Sequence, residues 1–231
     1  MSVKKAIILG SGLSVFEDKE PLASIKYEDI PSWPVGKVKG HKGVLDKYED
    51  VWVLRGRAHI YEGFSWQQAC FPTQYLADHG IEELIITNAA GGIDKNFEIG
   101  DLMQITGYLN FMEPTGKGKL AELTQEVTRF KTTEITNDDP EIKLHKGVYV
   151  GVHGPTYETH SEISMFKTLG ASAVGMSTIP EIQTALKNDL KVTAVSIITN
   201  VYGKTADLGH EGVVVAAKEA SAKLLKLLKL A

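Results

Sequence analysis

Apolar and polar positions divide this chain into strand-like and helix-like segments. "KKAIIL" (4–9), "VWVLRG" (51–56), "EELIITN" (82–88), "DLMQIT" (101–106), "GVYVGV" (147–152), "ASAVGM" (171–176) and "KVTAVSIITN" (191–200) are predicted strands. Several are unbroken apolar runs rich in β-branched residues, the pattern of strands covered on both faces. Helical spacing fills the gaps. "SWQQACFPTQYLADHG" (65–80) opens on Ser65 and Gln68 at capping-box spacing and closes on Gly80; its Pro72 predicts a kink or an irregular turn. "THSEISMFKTLG" (159–170) repeats the box with Thr159 and Glu162, and "TIPEIQTALKND" (178–189) with Thr178 and Glu181. "EGVVVAAKEASAKLLKLLKL" (211–230) has an apolar stripe with lysines opposite, which reads as a packed amphipathic helix rather than a membrane-surface one.

Strands alternating with helices predict an α/β fold with a largely parallel, twisted sheet flanked by helices. The stretch "VGKVKGHKGVLDKYEDVWVLRG" (35–56) instead reads as short strands joined by glycine turns, so the sheet is expected to be mixed. Residues 113–146 are the least core-like and read as a short helix followed by exposed loop. No repeat or low-complexity block interrupts the chain, and residues 1–231 are expected to form a single domain.

Composition narrows the function classes. The 231 residues are 43% hydrophobic and 23% charged, ordinary for a globular protein that buries a large core. A net charge of -4 argues against nucleic-acid or anionic-membrane partners. The single Cys70 cannot form an internal disulfide and suits a cytoplasmic setting; it reads as a small buried hydrophobe. The N-terminal apolar run is too short for a signal peptide, and no stretch approaches a membrane span. The seven histidines are scattered without metal-ligand spacing, so no metal site is expected.

Candidate chemistry collects where predicted strands end. "ILGSGLS" (8–14) places Gly10, Ser11 and Gly12 after the first strand, either as an anion-holding loop or as a tight strand-to-helix turn. It lacks the third glycine of a dinucleotide fingerprint and the Gly-Lys-Ser/Thr of a P-loop. "LRGRAHIYEG" (54–63) groups Arg57, His59, Tyr61 and Glu62. In an extended segment Arg57, His59 and Tyr61 share one side, where an arginine can grip an oxyanion with two parallel donors; a surface salt-bridge strand is the plain alternative. "ITNAAGG" (86–92) offers Ala89 and bare backbone at a strand's end, where open α/β sheets bind ligands, or else a glycine turn with Asn88 bonded to its own backbone. "GPTYETHSE" (154–162) sets Tyr157 beside Glu158, suited to stacking on a nitrogenous ring and accepting its N–H, or else an acid that favours the following helix N-terminus. "VGMSTIPE" puts Met176 and Ser177 at another strand end.

In this order, "GSGL", "GHKG", "LRGRAHIYEG", "TNAAGGI", "GPTYETHSEI", "LGASAVGMSTIPE" and "SIITN" closely resemble the trimeric purine nucleoside phosphorylases, within the wider family that includes methylthioadenosine phosphorylase. The resemblance covers nearly the whole chain apart from residues 109–146 and 201–209. It implies the nucleoside phosphorylase fold, a homotrimer, and phosphorolysis of a purine nucleoside to free base and ribose 1-phosphate, with inorganic phosphate as co-substrate and no metal or redox cofactor. Carried over by position, it implies that Ser11, Arg57, His59, Ala89 and Ser177 bind phosphate. Tyr61, Met176 and His210 would surround the ribose, Tyr157 would face the base, and His41 would belong to a mobile loop on the phosphate side. The catalytic set would be Asn200 at purine N7 and O6, Glu158 at N1–H, and His59. In the family, aspartate at the Asn200 position accompanies 6-amino purines, so Asn200 implies 6-oxopurines such as inosine and guanosine. The stretches after "DLMQITGYLNF" and between Asn200 and His210 are shorter than in typical members, and His153 replaces a usually small residue. Methylthioadenosine phosphorolysis and a nucleoside-binding module without turnover are the alternatives; Asn200 opposes the first and the intact Arg57, His59, Glu158 and Asn200 set opposes the second.

Overall fold

Every apolar run predicted as a strand pairs into one ten-stranded sheet. The computed structural model describes residues 3–13, 16, 18–38, 40–112, 126–204 and 210–228, with only the backbone of residues 210, 211, 213 and 214. In chain order the strands are β1 (Lys5–Ile8), β2 (Ala23–Lys26), β3 (Val44–Lys47), β4 (Val51–Leu54), β5 (Glu83–Gly92), β6 (Leu102–Phe111), β7 (Thr128–Arg129), β8 (Leu144–Val152), β9 (Ala173–Gly175) and β10 (Lys191–Val201). The helices are α1 (Trp66–Asp78), α2 (His160–Thr168), α3 (Ile179–Lys187) and α4 (His210–Leu227).

The longest ladders, β5 with β10 and β6 with β8, are parallel, while β3 and β4, from the glycine-rich stretch, pair antiparallel and mix the sheet as expected; β2, which no sequence signal marked, pairs antiparallel with β3. Beyond the predicted mixed sheet, β10 pairs with both β5 and β6, β6 with β8, β8 with β9, and β9 with β5. Five strands therefore close into a ring, and β1, β4, β3 and β2 extend from it as a tail. The largest core cluster draws Ile86, Met103, Tyr149, Ala173 and Ile198 from the five ring strands and packs them with Leu76 of α1 and Ile182 of α3. A second cluster joins Ile7, Val53 and Ile197 to Ala217, Ala220 and Leu224 of α4, so the lysine-faced C-terminal helix is packed on the sheet. A third joins Val148 and Val150 to Ile163 and Phe166 of α2.

Two predicted capping boxes form. Ser65 Oγ accepts from Gln68 N at 3.2 Å and Gln68 Oε1 from Ser65 N at 2.9 Å; Thr159 and Glu162 do the same before α2. Gly80 and Gly170 follow these helices with φ of +82° and +88°, where a side chain would be strained. Pro72 does not end α1, which continues to Asp78. The third box is a correction. Thr178 precedes α3 with φ +79° and makes no capping bond. Its hydroxyl accepts from Asn88 Nδ2 at 2.8 Å, and Glu181 turns to Arg57 at 2.8 Å, so both box residues are committed elsewhere.

Two more expectations change. β5 runs through Asn88 to Gly92, so Asn88 lies inside a strand, 1% exposed, rather than at its tip. Small residues permit this, because β9 and β10 both pair against Gly91 and Gly92. In the stretch read as a short helix and exposed loop, residues 113–125 lie outside the described part. Its remainder is not simply exposed: β7 pairs with β6, Thr132 bridges to Val192, and Ile142 is buried. No helix follows Ser11 among the described residues; the chain turns through Leu13 N–H to Gly10 O at 3.3 Å. Cys70 is half-buried, with Sγ 3.7 Å from Pro180 O, linking α1 to α3. No described helix is long and apolar enough to cross a membrane.

Candidate active site

A cleft partly open to solvent lies at the carboxyl-terminal ends of β1, β4, β5, β9 and β10. Its lining includes Ser11, Arg57, His59, Tyr61, Ala89, Tyr157, Glu158, Met176, Ser177 and Asn200, ten of the residues singled out from sequence. His41 stands just behind them. The side chain of His210 lies outside the described residues. His153 is exposed, with Nδ1 3.1 Å from Gly154 O, and does not line the cleft.

The floor is a buried polar network. Arg57, 6% exposed, donates from Nε to Glu181 Oε1 at 2.8 Å, and from Nη1 to Thr87 O at 2.9 Å and Ser177 Oγ at 3.4 Å. Its Nη2 is buried with no protein partner. Ser177 is held from behind by the fully buried Tyr149, whose hydroxyl donates to Ser177 O at 3.1 Å and accepts from Ser177 N at 3.3 Å. Burial pushes the Tyr149 phenol up to about 12, so it stays protonated. Ser177 Oγ also lies 3.1 Å from Thr178 Oγ1, the atom that Asn88 Nδ2 reaches. Asn88 thus helps to set Thr178 in a backbone conformation rare for a β-branched residue.

Beside this floor, three rings stack. His59 lies 4.7 Å from Tyr61 and 5.4 Å from His41, with interplanar angles of 20° and 18°. The predicted extended run stops at a 3-10 turn over Ile60–Glu62, and the turn folds Tyr61 back onto His59. Burial lowers the pKa of His59 even though Glu62 raises it, so the ring is neutral near pH 7. Glu62 Oε2 lies 3.2 Å from His59 Nδ1, which therefore carries the proton, leaving Nε2 as an acceptor. His41 is pushed to about 3 by burial and by neighbouring His59 and Arg57, and is neutral too. Its Nδ1 accepts from Arg57 N at 3.3 Å, so Nε2 carries the hydrogen and donates to Ser11 Oγ, also at 3.3 Å. That leaves the Ser11 hydroxyl proton for a ligand. Gly56 makes the fit possible: a Cβ there would meet His41 Cβ at 2.7 Å, and its φ is +125°. Gly10 likewise lets β1 approach β5, where a Cβ would sit 2.7 Å from Asn88 Cα.

At the opposite end, a β-bulge shifts register between Ile198 and Asn200. Ala194 and Ile198 share one core cluster, and past the bulge Val201 rejoins it instead of Asn200. The extra residue therefore turns Asn200 away from that core and into the cleft. Thr199 Oγ1 lies 3.3 Å from Asn200 Oδ1 and 3.4 Å from Ala90 O; donation to Oδ1 leaves Asn200 Nδ2 free to donate into the cleft. Nδ2 sits over the bare backbone of Gly91, 3.3 Å from where a Cβ would be. Glu158 is half-buried, and burial raises its pKa above the ordinary carboxylate range. Tyr157 is exposed at the mouth. The described residues contain no cluster of metal-ligating side chains.

Sequence reading missed Glu181, Tyr149, Thr178 and the bridging role of Asn88. Glu181 stands 124 residues from Arg57 in sequence, and its one local signal, the capping-box spacing, pointed elsewhere.

Comparisons with known proteins match nearly the whole chain. The phosphorylase superfamily profile matches residues 4–231. The chain is 39% identical to purine nucleoside phosphorylase 1 of Bacillus subtilis over 246 aligned positions, covering 99% of this chain and 91% of the relative. It is 35% identical to purine nucleoside phosphorylase of Bos taurus, covering 97% and 86%. The first alignment is longer than this 231-residue chain, so the relative carries residues absent here. Among solved structures, a Schistosoma purine nucleoside phosphorylase in complex with hypoxanthine superposes with a TM-score of 0.76 at 25% identity, covering 98% of this chain and 89% of that one.

Proposed function

The chain belongs to the phosphorylase superfamily, as a pentosyltransferase among the purine nucleoside phosphorylases, and from that premise we propose that it cleaves 6-oxopurine (deoxy)ribonucleosides, such as inosine and guanosine, with inorganic phosphate. The products are the free base and (deoxy)ribose 1-phosphate. The observation that carries this reading is the arrangement of one cleft: an anion-suited floor of Arg57, Ser11 and Ser177 at one end, and Asn200 with Glu158 at the other.

In this reading phosphate lies on the floor. Ser11 donates its hydroxyl proton, and Arg57 donates through Nη2. His59 Nε2 accepts the P–O–H proton of hydrogenphosphate, which aims unprotonated oxygens at the sugar. Ala89 and the Ser177 hydroxyl complete the subsite, and His41 holds Ser11 from behind. Tyr61 and Met176 border the ribose, and His210 is assigned to its 5'-hydroxyl by family position. Bond cleavage leaves C1' cation-like and the purine negative, as in glycoside cleavage. Asn200 Nδ2 donates to N7 and meets the charge as it develops; removing one such preorganised donor typically costs about 3 kcal/mol. The Glu158 carboxylate accepts from N1–H, which a 6-oxopurine carries, and Tyr157 faces the ring. Hypoxanthine, named in the Schistosoma complex, is itself a 6-oxopurine.

The decisive assay incubates the protein with inosine, guanosine, adenosine or methylthioadenosine, with and without phosphate. Base release from inosine and guanosine only when phosphate is present is expected. Phosphate-independent release, or turnover of methylthioadenosine alone, would sink the reading. We place the enzyme in the cytoplasm as a homotrimer, and equilibrium sedimentation near three times the 25.2 kDa chain mass is expected.

A further inference from the structure

Glu181 makes the buried partner of Arg57. It is 4% exposed, Oε1 accepts from Arg57 Nε at 2.8 Å, and Oε2 has no partner. A buried ion pair of this kind adds little net stability over an apolar pair of the same size, so stability alone does not account for it. Its geometry accounts for it better. An arginine side chain has many rotamers, and this one is clamped at two of its three nitrogens: Nε by the carboxylate on α3, Nη1 by the Thr87 carbonyl on β5 and by Ser177 Oγ. Nη2 is the guanidinium nitrogen not committed to protein.

We propose that Glu181 is a positioning residue of the anion subsite, fixing the Arg57 guanidinium so that Nη2 is kept for a phosphate oxygen. The inference rests on the phosphorolysis reading above and adds the residue that prepares its arginine. It has an electrostatic corollary. Arg57 is paired with a carboxylate, and His59 and His41 are neutral, so the floor selects phosphate by aimed N–H and O–H donors more than by net positive charge.

Two substitutions separate reach from charge. Glu181→Gln keeps an acceptor oxygen at the same distance and removes the charge. Glu181→Asp keeps the charge and withdraws the acceptor by one methylene. Each is read by the KM for phosphate, the KM for inosine, and the rise in Tm on adding phosphate without nucleoside. With positioning, Glu181→Asp raises the phosphate KM about tenfold or more, as loss of one charged hydrogen bond implies. It also leaves the inosine KM within about threefold and shrinks the phosphate-induced Tm rise, while Glu181→Gln stays near wild type on all three. A wild-type phosphate KM and Tm rise in Glu181→Asp would overturn the inference alone. So would a Gln variant as impaired as the Asp variant. A wild-type protein whose Tm does not respond to phosphate would overturn the anion subsite, and this inference with it.

Discussion

Asn88 and Asn200 close the same three letters, Ile-Thr-Asn, and serve different ends. Asn88 is sealed inside β5, where it ties Thr178 in place; Asn200 is half-buried and turned into the cleft by a bulge. Replacing Asn200 with Ala is expected to lower kcat for inosine about 100-fold or more, the usual effect of deleting a donor to developing charge. The phosphate KM should hardly move, which initial-rate kinetics would check. Glu158 gives a pH test. Burial favours its neutral form, so it takes up a proton at higher pH than an ordinary glutamate near 4.3. The ionised carboxylate is the stronger acceptor for N1–H, and the protonated form a weaker one. The KM for inosine should therefore rise on acidification before an ordinary glutamate would titrate, and a KM series from pH 8 down to pH 4.5 should show it. Glu158→Gln keeps an acceptor but loses the titrating charge, so its KM should be raised and flat over the same range. The stability sign is opposite: the folded state holds the Glu158 proton more firmly than the unfolded chain, so ionising it as pH rises costs stability. Residue identity was legible here for the ten singled-out residues that line the cleft. Glu181 and Tyr149 were not, because they act on the Arg57 side chain and the Ser177 backbone, across 124 and 28 residues of sequence.

At the scale of elements, helices were easier to read than what precedes them. Ser65 with Gln68 and Thr159 with Glu162 cap as their spacing dictates, since nothing else competes for those exposed side chains. Thr178 and Glu181 have the same spacing but are buried, and the network beneath the cleft claims both. Local spacing decides a cap on the surface; tertiary partners decide it in the core. The bulge in β10 was equally hidden, because an extra residue leaves no local mark in an apolar run. Tyr149 makes the element-level prediction. Its single hydroxyl serves both backbone groups of Ser177, joining β8 to the turn that leads into α3. Tyr149→Phe leaves two buried polar groups unpaired and should cost about 1–3 kcal/mol in urea unfolding. It should also raise the phosphate KM through Ser177.

For the whole molecule, alternating strands and helices disclosed the α/β class, the mixed sheet and the packed C-terminal helix. Leu224 of α4 is fully buried against Ile7, Val53 and Ile197. Leu224→Ala should therefore destabilise by about 2–5 kcal/mol with no change in either substrate's KM for the folded enzyme. Denaturant melts and kinetics at low temperature would separate the two. Ring closure was illegible, because strand pairing over long sequence separations leaves no periodic trace in either partner. It also carries a consequence for how the chain is made. Thr199 meets Ala90 across 109 residues, and Asn200 aligns beside Gly91. Until β10 has left the ribosome, β5 keeps a bare edge and the cleft lacks the Asn200 amide. Contacts that distant slow folding, so the nascent enzyme spends a long stretch of its synthesis with a sticky flank exposed. Chains halted before Lys191 are expected to aggregate rather than fold as smaller phosphorylases, which pelleting of translation products arrested at that codon would measure.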